Sequence, residues 1–115
     1  MPNEKNLIAQ LRQLLARRKG VRSRQQVFEK QLFGGTAFLL NGNVCCGEWK
    51  GHLILRLGPD IARQVLAEEY TREFDITGRP MRGWVMVEPA GWQDASKLRR
   101  WVSWAVEFTN DLPAK

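Results

Sequence analysis

The first part of the chain has the hydrophobic period of a helix. Leu7, Ile8, Leu11, Leu14 and Leu15 recur at helical spacing, with polar side chains on the opposite side. This pattern predicts an amphipathic helix from about Asn3 to Arg18, which Gly20 ends. The polar stretch that follows, GVRSRQQVFEKQ, has no clear period and is interpreted mainly as a connector.

From Leu32 the pattern changes to that of strands. The segment TAFLLNGNVCCGEWKGHLILRLG contains three apolar runs, which two turn signals separate, Asn41-Gly42 and Gly51. In the third run Leu53, Leu55 and Leu57 share one face, while His52, Ile54 and Arg56 share the other. We therefore predict an antiparallel meander of three strands, with the leucine face in the core and the second face mixed.

The remaining elements follow from capping signals and short apolar runs. Gly58-Pro59-Asp60 predicts the start of a second helix, which extends to about Glu69, and FDIT and GWVMVEP are predicted to be short strands. Asp94 is the expected N-cap of the last helix, whose core stripe is Leu98, Trp101, Val102, Ala105 and Phe108. Trp104 lies off this stripe and is expected to be half exposed. The order α-β-β-β-α-β-β-α predicts a single α+β domain over residues 1–115, with helices packed on an antiparallel sheet.

The net charge of +6 and the pI near 9.9 add one functional alternative. A basic group near the end of the first helix could follow a phosphate backbone, or it could be an ordinary solvated surface. Its members are Arg17, Arg18, Lys19, Arg22 and Arg24. The chain shows no apolar run long enough to cross a membrane, no signal-peptide pattern and no disulfide framework, so we expect a cytoplasmic protein without a membrane partner.

Catalytic and metal-binding signals are weak. Cys45 and Cys46 are neighbours in a predicted strand, so their side chains are expected on opposite faces as small buried residues. His52 is the only histidine and is expected to be an exposed residue at the start of a strand, with no triad motif around it. Gly34-Gly35 precedes a strand and suits a bulge or close backbone approach rather than a phosphate loop. We expect no catalytic residues, no metal, no cofactor and no enzymatic activity.

The stretch FDITGRPMRGW, residues 74–84, is the densest candidate site. Gly78, Pro80 and Gly83 meet the needs of a turn between two strands. A turn does not require Arg79 and Arg82, which either pair with Asp75 and Glu88 or bind an anionic partner. The candidate partner-binding residues are Arg79, Arg82, Trp84 and Trp104.

Three segments together resemble the TfoX N-terminal domain family, also called TfoX/Sxy. They are LFGGTAFLLNGNVCCG at 32–47, LRLGP at 55–59 and FDITGRPMRGWV at 74–85, and the last helix ends near Leu112-Pro113 as in the family. Leu32 and Val44 stand where the family commonly has methionine, and both changes are apolar for apolar.

The resemblance has consequences for both fold and function. It implies a fold similar to the secretion-chaperone-like α+β class and no established enzymatic activity. Family members that regulate natural competence carry a second, C-terminal domain, so the resemblance to a regulator covers only half of such a protein. We expect a non-enzymatic domain that acts through protein contacts in bacterial regulation. Weak association with nucleic acid is the alternative, and a homodimer stays open.

Overall fold

Six strands and four helices form the part of the chain that the structure, a computed structural model, describes: residues 4–17, 27–32, 34–75, 78–79 and 81–113. The elements are α1 (Glu4–Arg17), β1 (Val27–Leu32), β2 (Gly35–Leu40), β3 (Asn43–Trp49), β4 (His52–Arg56), α2 (Pro59–Val65), β5 (Thr71–Glu73), β6 (Trp84–Val87), α3 (Pro89–Trp92) and α4 (Ala95–Asn110). The strands form one sheet in the order β1-β2-β3-β4-β6-β5, and every pair of neighbours is antiparallel. The α+β class and the succession of the predicted elements are confirmed.

Turn and cap residues act where the sequence predicts. Asn41 and Gly42 both have positive φ, 53° and 85°, in the turn between β2 and β3. Asp94 precedes α4, and its carboxylate accepts hydrogen bonds from the backbone N–H groups of Ser96 and Lys97. The Ser96 hydroxyl also donates to this carboxylate, at 2.8 Å. This bond first, and the backbone bonds after it, hold the pKa of Asp94 below its usual value.

The main core lies between one face of the sheet and the helices. Leu53, Leu55 and Leu57 are at most 1% exposed and belong to this core, as predicted. All four helices of the described ranges contribute buried side chains to it: Leu7, Leu11 and Leu15 from α1, Ala62 and Val65 from α2, Trp92 from α3, and Leu98, Trp101, Val102, Ala105 and Val106 from α4. The helices therefore cover only one face of the sheet.

The interpretation of GVRSRQQVFEKQ as a connector is wrong for its second half, because Val27–Leu32 is the edge strand β1. It pairs along its whole length with β2, from Val27 opposite Leu40 to Leu32 opposite Gly35. Its first five side chains are exposed. A strand that buries so little has no alternating hydrophobic pattern, so only its backbone pairing defines it.

The strand expected at FDIT lies earlier, at Thr71–Glu73. Phe74 begins the loop instead, because its carbonyl accepts a hydrogen bond from the N–H of Met81 at 3.0 Å. Ile76 and Thr77 fall outside the described residues. Helix α2 is also shorter than predicted. It ends at Val65, after which the N–H of Ala67 and that of Glu68 bond three residues back.

A β-bulge changes the placement of the two cysteines. The pairing of β2 with β3 shifts between Phe38, opposite Cys46, and Leu39, opposite Val44, so Cys45 is the additional residue. Both cysteines are free and fully buried, as predicted, but both belong to the main core rather than to opposite faces. The bulge breaks the simple alternation from which opposite faces were predicted.

Candidate functional site

The face of the sheet away from the helices is apolar. Ile54 lies between Leu53 and Leu55 and therefore points to this second face, where it packs with Phe74 and Met86. Trp49, Met81 and Trp84 are partly buried against the same cluster. We call this surface the open face, because the helices described here pack on the other side. Ile54, Phe74 and Met86 are themselves at most 7% exposed, so the accessible apolar part of this face is a cavity.

A cavity of about 280 Å³ lies in the open face. Its lining is almost entirely apolar: Leu32, Thr36, Ala37, Val44, Cys46, Gly47, Glu48, Trp49, Ile54, Phe74, Met81 and Trp84. The floor is formed where small residues lie on neighbouring strands, Ala37 on β2 opposite Gly47 on β3. The cavity exists because bulky side chains surround a floor of small ones.

Close approach of β2 and β3 requires glycine at two positions. A Cβ atom on Gly47 would lie 2.4 Å from the carbonyl oxygen of Thr36, and one on Gly35 would lie 2.1 Å from that of Glu48. Neither distance is compatible with a side chain. The close approach predicted for Gly34-Gly35 is therefore confirmed at Gly35, and at Gly47 the same requirement keeps the cavity floor free of a side chain.

The stretch FDITGRPMRGW is the loop between β5 and β6, and it forms one wall of the cavity. The N–H of Gly78 donates to the carbonyl of Asp75 at 2.8 Å, and the N–H of Trp84 donates to that of Met81 at 3.1 Å. The rings of Phe74 and Trp84 pack with centroids 5.8 Å apart. The loop thus combines a turn with an apolar wall, and the wall comes from Phe74, Met81 and Trp84 rather than from the arginines.

Cationic side chains surround the cavity. The Lys50 ammonium lies 4.9 Å from the ring centroid of Trp49, and the Arg56 guanidinium lies 5.3 Å from that of Trp84. Lys30 on β1 is exposed directly opposite Ala37. The two tryptophans of the lining, Trp49 and Trp84, therefore each have a positive charge next to the ring.

A second cavity, of about 270 Å³, adjoins the first. Met81 and Trp84 line both of them, and Arg63 of α2 and Arg82 of the loop line the second together with Glu73. Arg82 is exposed and forms no ion pair with any residue in the described ranges, so the expected pairing with Asp75 or Glu88 does not occur there. The guanidinium of Arg82 is thus available beside the apolar cavity.

The structure brings together some of the predicted site residues but not all. Arg82 and Trp84 are neighbours at the two cavities, and Arg79 is exposed in the same loop. Trp104 is half-buried, as predicted, but it packs against the main core on α4, where the Arg100 guanidinium lies 5.1 Å from its ring. Trp104 and Trp84 are therefore on opposite sides of the sheet.

The basic group of the nucleic-acid alternative lies largely outside the described part of the chain. Arg17 is the last residue of α1, whereas Arg18, Lys19, Arg22 and Arg24 fall in the undescribed segment 18–26. The geometry of this group therefore stays a sequence-based expectation.

His52 and the cysteines are held in structural roles. His52 is only partly exposed at the start of β4; its Nδ1 lies 3.2 Å from the carbonyl oxygen of Lys50, and its Nε2 lies 3.4 Å from Nη2 of Arg72. Since a carbonyl only accepts, Nδ1 carries the proton and Nε2 accepts from the arginine. A hydrogen bond to Cys45, followed by burial, raises the pKa of Cys46 well above its usual value. The described ranges contain no cluster of three or more metal-ligating His, Cys, Asp or Glu residues.

Sequence reasoning missed Trp49, Phe74 and Met81 as site residues. The available signal was the second face of β4, where apolar Ile54 lies between His52 and Arg56 and no further helix was predicted to cover it.

No helix within the described ranges is long and apolar enough to cross a membrane.

One comparison with known proteins agrees with the motifs. The model of the TfoX N-terminal domain matches residues 19–109, a span that includes all six strands and the open face. No curated protein and no solved structure gives a match. Because the matched span covers most of the chain, this protein belongs to the TfoX N-terminal domain family.

Proposed function

We propose that this domain is a non-enzymatic protein-interaction module of a bacterial regulatory system, and that a partner protein binds at its open face. The single observation that carries the proposal is the apolar cavity of about 280 Å³ in a sheet face that the described helices leave uncovered. Apolar cavity walls in contact with water cost free energy, and a partner that fills the cavity recovers it.

Family membership supports the regulatory part of the proposal. Relatives that regulate competence carry this domain, and no enzymatic activity is established for it. The local geometry supports the non-enzymatic part of the proposal. The two ring nitrogens of His52 have backbone and arginine partners, and the cysteines lie fully buried in the core.

The test is a pull-down from the native host, with the lysate used both with and without nuclease treatment. Ala37→Leu fills the cavity floor from a side chain that already points into it, so this variant should lose the partner. Arg99→Gln is the matched control, because Arg99 is exposed on α4, on the other side of the sheet. Equal retention by the wild type, Ala37→Leu and Arg99→Gln would show that the open face is not the binding surface.

Weak association with nucleic acid is a second candidate function, supported by the net charge of +6. It would use Arg17, Arg18, Lys19, Arg22 and Arg24 and would be sensitive to nuclease in the same pull-down. The two functions therefore differ in the surface they use and in their response to nuclease.

A further inference from the structure

We infer that the segment that binds the open face is acidic and presents bulky apolar side chains, a chemistry that the residues around the cavity select. The inference rests on the proposed function and adds the nature of the partner segment. Three observations carry it: the apolar lining, the cationic side chains around it, and Arg82 in the adjoining cavity, which forms no ion pair with any described residue.

The cavity selects bulky apolar side chains. Trp49, Phe74 and Trp84 form aromatic walls around a floor of Ala37 and Gly47. Its volume, about 280 Å³, is slightly below the ~300–1,000 Å³ of pockets that enclose drug-sized ligands. Phe28, 54% exposed on β1 opposite Leu39, extends the apolar surface beyond the cavity. An open cavity with an apolar extension suits side chains of a protein segment better than an enclosed small molecule.

The surrounding charges select the acidic character. Lys50 and Arg56 lie over the two tryptophan walls, and Lys30 is exposed beside the floor. Arg82 and Arg63 line the second cavity, where Glu73 supplies the one carboxylate among its lining residues. Glu48 pairs in register with Leu53 of the main core, so its carboxylate lies on the helical side of the sheet, where it accepts the N–H of Gly51. Carboxylates that flank the apolar side chains of the partner would meet these cations.

The same charges disfavour two other occupants. The segment 18–26 of this chain carries Arg18, Lys19, Arg22 and Arg24 and no acidic residue, so it has the same sign as the surface around the cavity. A second copy of the chain, related by a twofold axis, would place Lys50, Arg56 and Arg82 of each copy against the same surface of the other. Like charges at such an interface oppose association.

The experiment uses three synthetic peptides and the full chain. One peptide combines leucine and phenylalanine with flanking glutamates, the second has lysine in place of each glutamate, and the third has alanine in place of each apolar residue. Fluorescence polarisation gives the affinities. NMR amide shifts locate the binding, with Val44, Gly47 and Trp84 reporting the open face and Arg99 reporting the helical side.

We expect the acidic apolar peptide to bind at least about tenfold more tightly than either control peptide, because each control lacks one of the two selected features. The double variant Lys50→Gln/Arg56→Gln should weaken binding of the acidic apolar peptide about fivefold, the effect of losing two exposed ion pairs. Arg99→Gln should leave the affinity for this peptide unchanged. Ala37→Leu should weaken it at least about tenfold. Val44→Phe blocks the same cavity and replaces Ala37→Leu if that variant does not fold.

Equal or tighter binding of the lysine peptide would overturn the inference. A concentration-dependent dimer, seen by sedimentation, that Ala37→Leu dissociates would overturn it as well. If the peptides fail to bind while Ala37→Leu still loses the partner in the pull-down, the acidic chemistry is wrong and the proposed function stands. If shifts appear only around Arg99, both are wrong.

Discussion

Gly78 contributes to the stability of the domain through its backbone conformation rather than through contacts. Its φ is 86°, in the left-handed region, and a Cβ atom added there would meet nothing within 4 Å. Gly78→Val should therefore lower the free energy of unfolding by about 1–2 kcal/mol through backbone strain alone. Gly78→Asn should cost less, because asparagine tolerates this region. Urea unfolding of both variants measures the difference.

Arg82→Ala provides the comparison within the same loop. Arg82 is exposed and unpaired among the described residues, so its removal should change stability by no more than about 0.5 kcal/mol. The interpretation of the loop would be contradicted if Arg82→Ala unfolded the domain more readily than Gly78→Val. It would also be contradicted if asparagine and valine at position 78 were equally costly.

Cys46 makes a prediction about thiol reactivity. The hydrogen bond to Cys45 and the complete burial of the side chain raise the pKa of the thiol, so the reactive thiolate is scarce at neutral pH. Iodoacetamide should modify the native protein far more slowly than a cysteine peptide, and guanidinium should restore the reactivity of both cysteines. Mass spectrometry of timed samples counts the modified thiols. Native modification at the peptide rate would contradict the buried placement.

Successive side chains of strand β4 point to opposite faces of the sheet, so adjacent residues on it should respond differently to truncation. Leu55 is fully buried in the main core, so Leu55→Ala should cost about 2–5 kcal/mol. Ile54→Ala should cost less, because Ile54 borders the open cavity and its removal leaves no enclosed void. Denaturant unfolding of the two variants tests this order. A larger loss for Ile54→Ala would mean that the open face, not the helical face, contains the dominant core.

Most elements could be predicted because local signals specify them. Asn41-Gly42 supplies the positive φ values of a turn, Pro59 begins a helix and Asp94 caps one. Edge strand β1 could not be predicted, since its side chains are exposed and its backbone pairing with β2 is a tertiary interaction. The prediction that the two cysteines lie on opposite faces failed for the same reason, because a register shift between two strands has no signal in either strand alone.

The candidate site was predicted only in part. Arg82 and Trp84 were named from the density of the loop that contains them, and both lie at the cavities. The cavity itself depends on where the helices pack, which periodicity does not reveal: each helix has one apolar stripe, and the sequence does not state which sheet face it will cover. Trp49 and Phe74 were therefore not named as site residues. Trp104 looked like a contact residue, although it packs on the helical side.

At the scale of the whole molecule, the two faces of the sheet differ in what covers them. The helices cover one face and bury the main core, while the other face keeps an apolar cavity with cations around it. The net charge of +6 therefore has three interpretations. It selects an acidic protein segment at the open face, attracts nucleic acid in general, or belongs to an ordinary solvated surface.

Salt dependence separates these interpretations. Nucleic-acid binding through phosphates should weaken with a slope of about 0.9 in log K per log salt for each contact. Changing Arg17, Arg18 and Lys19 together to glutamine should reduce that slope, whereas Ala37→Leu should not, because it alters an apolar cavity. We expect weak binding without sequence preference that disappears near physiological salt, about 0.15 M. Fluorescence anisotropy with two unrelated duplexes over a salt series measures both quantities. Sequence-selective binding that persists at that salt would make nucleic acid the principal partner, and a slope that depends on Ala37 would place it at the open face.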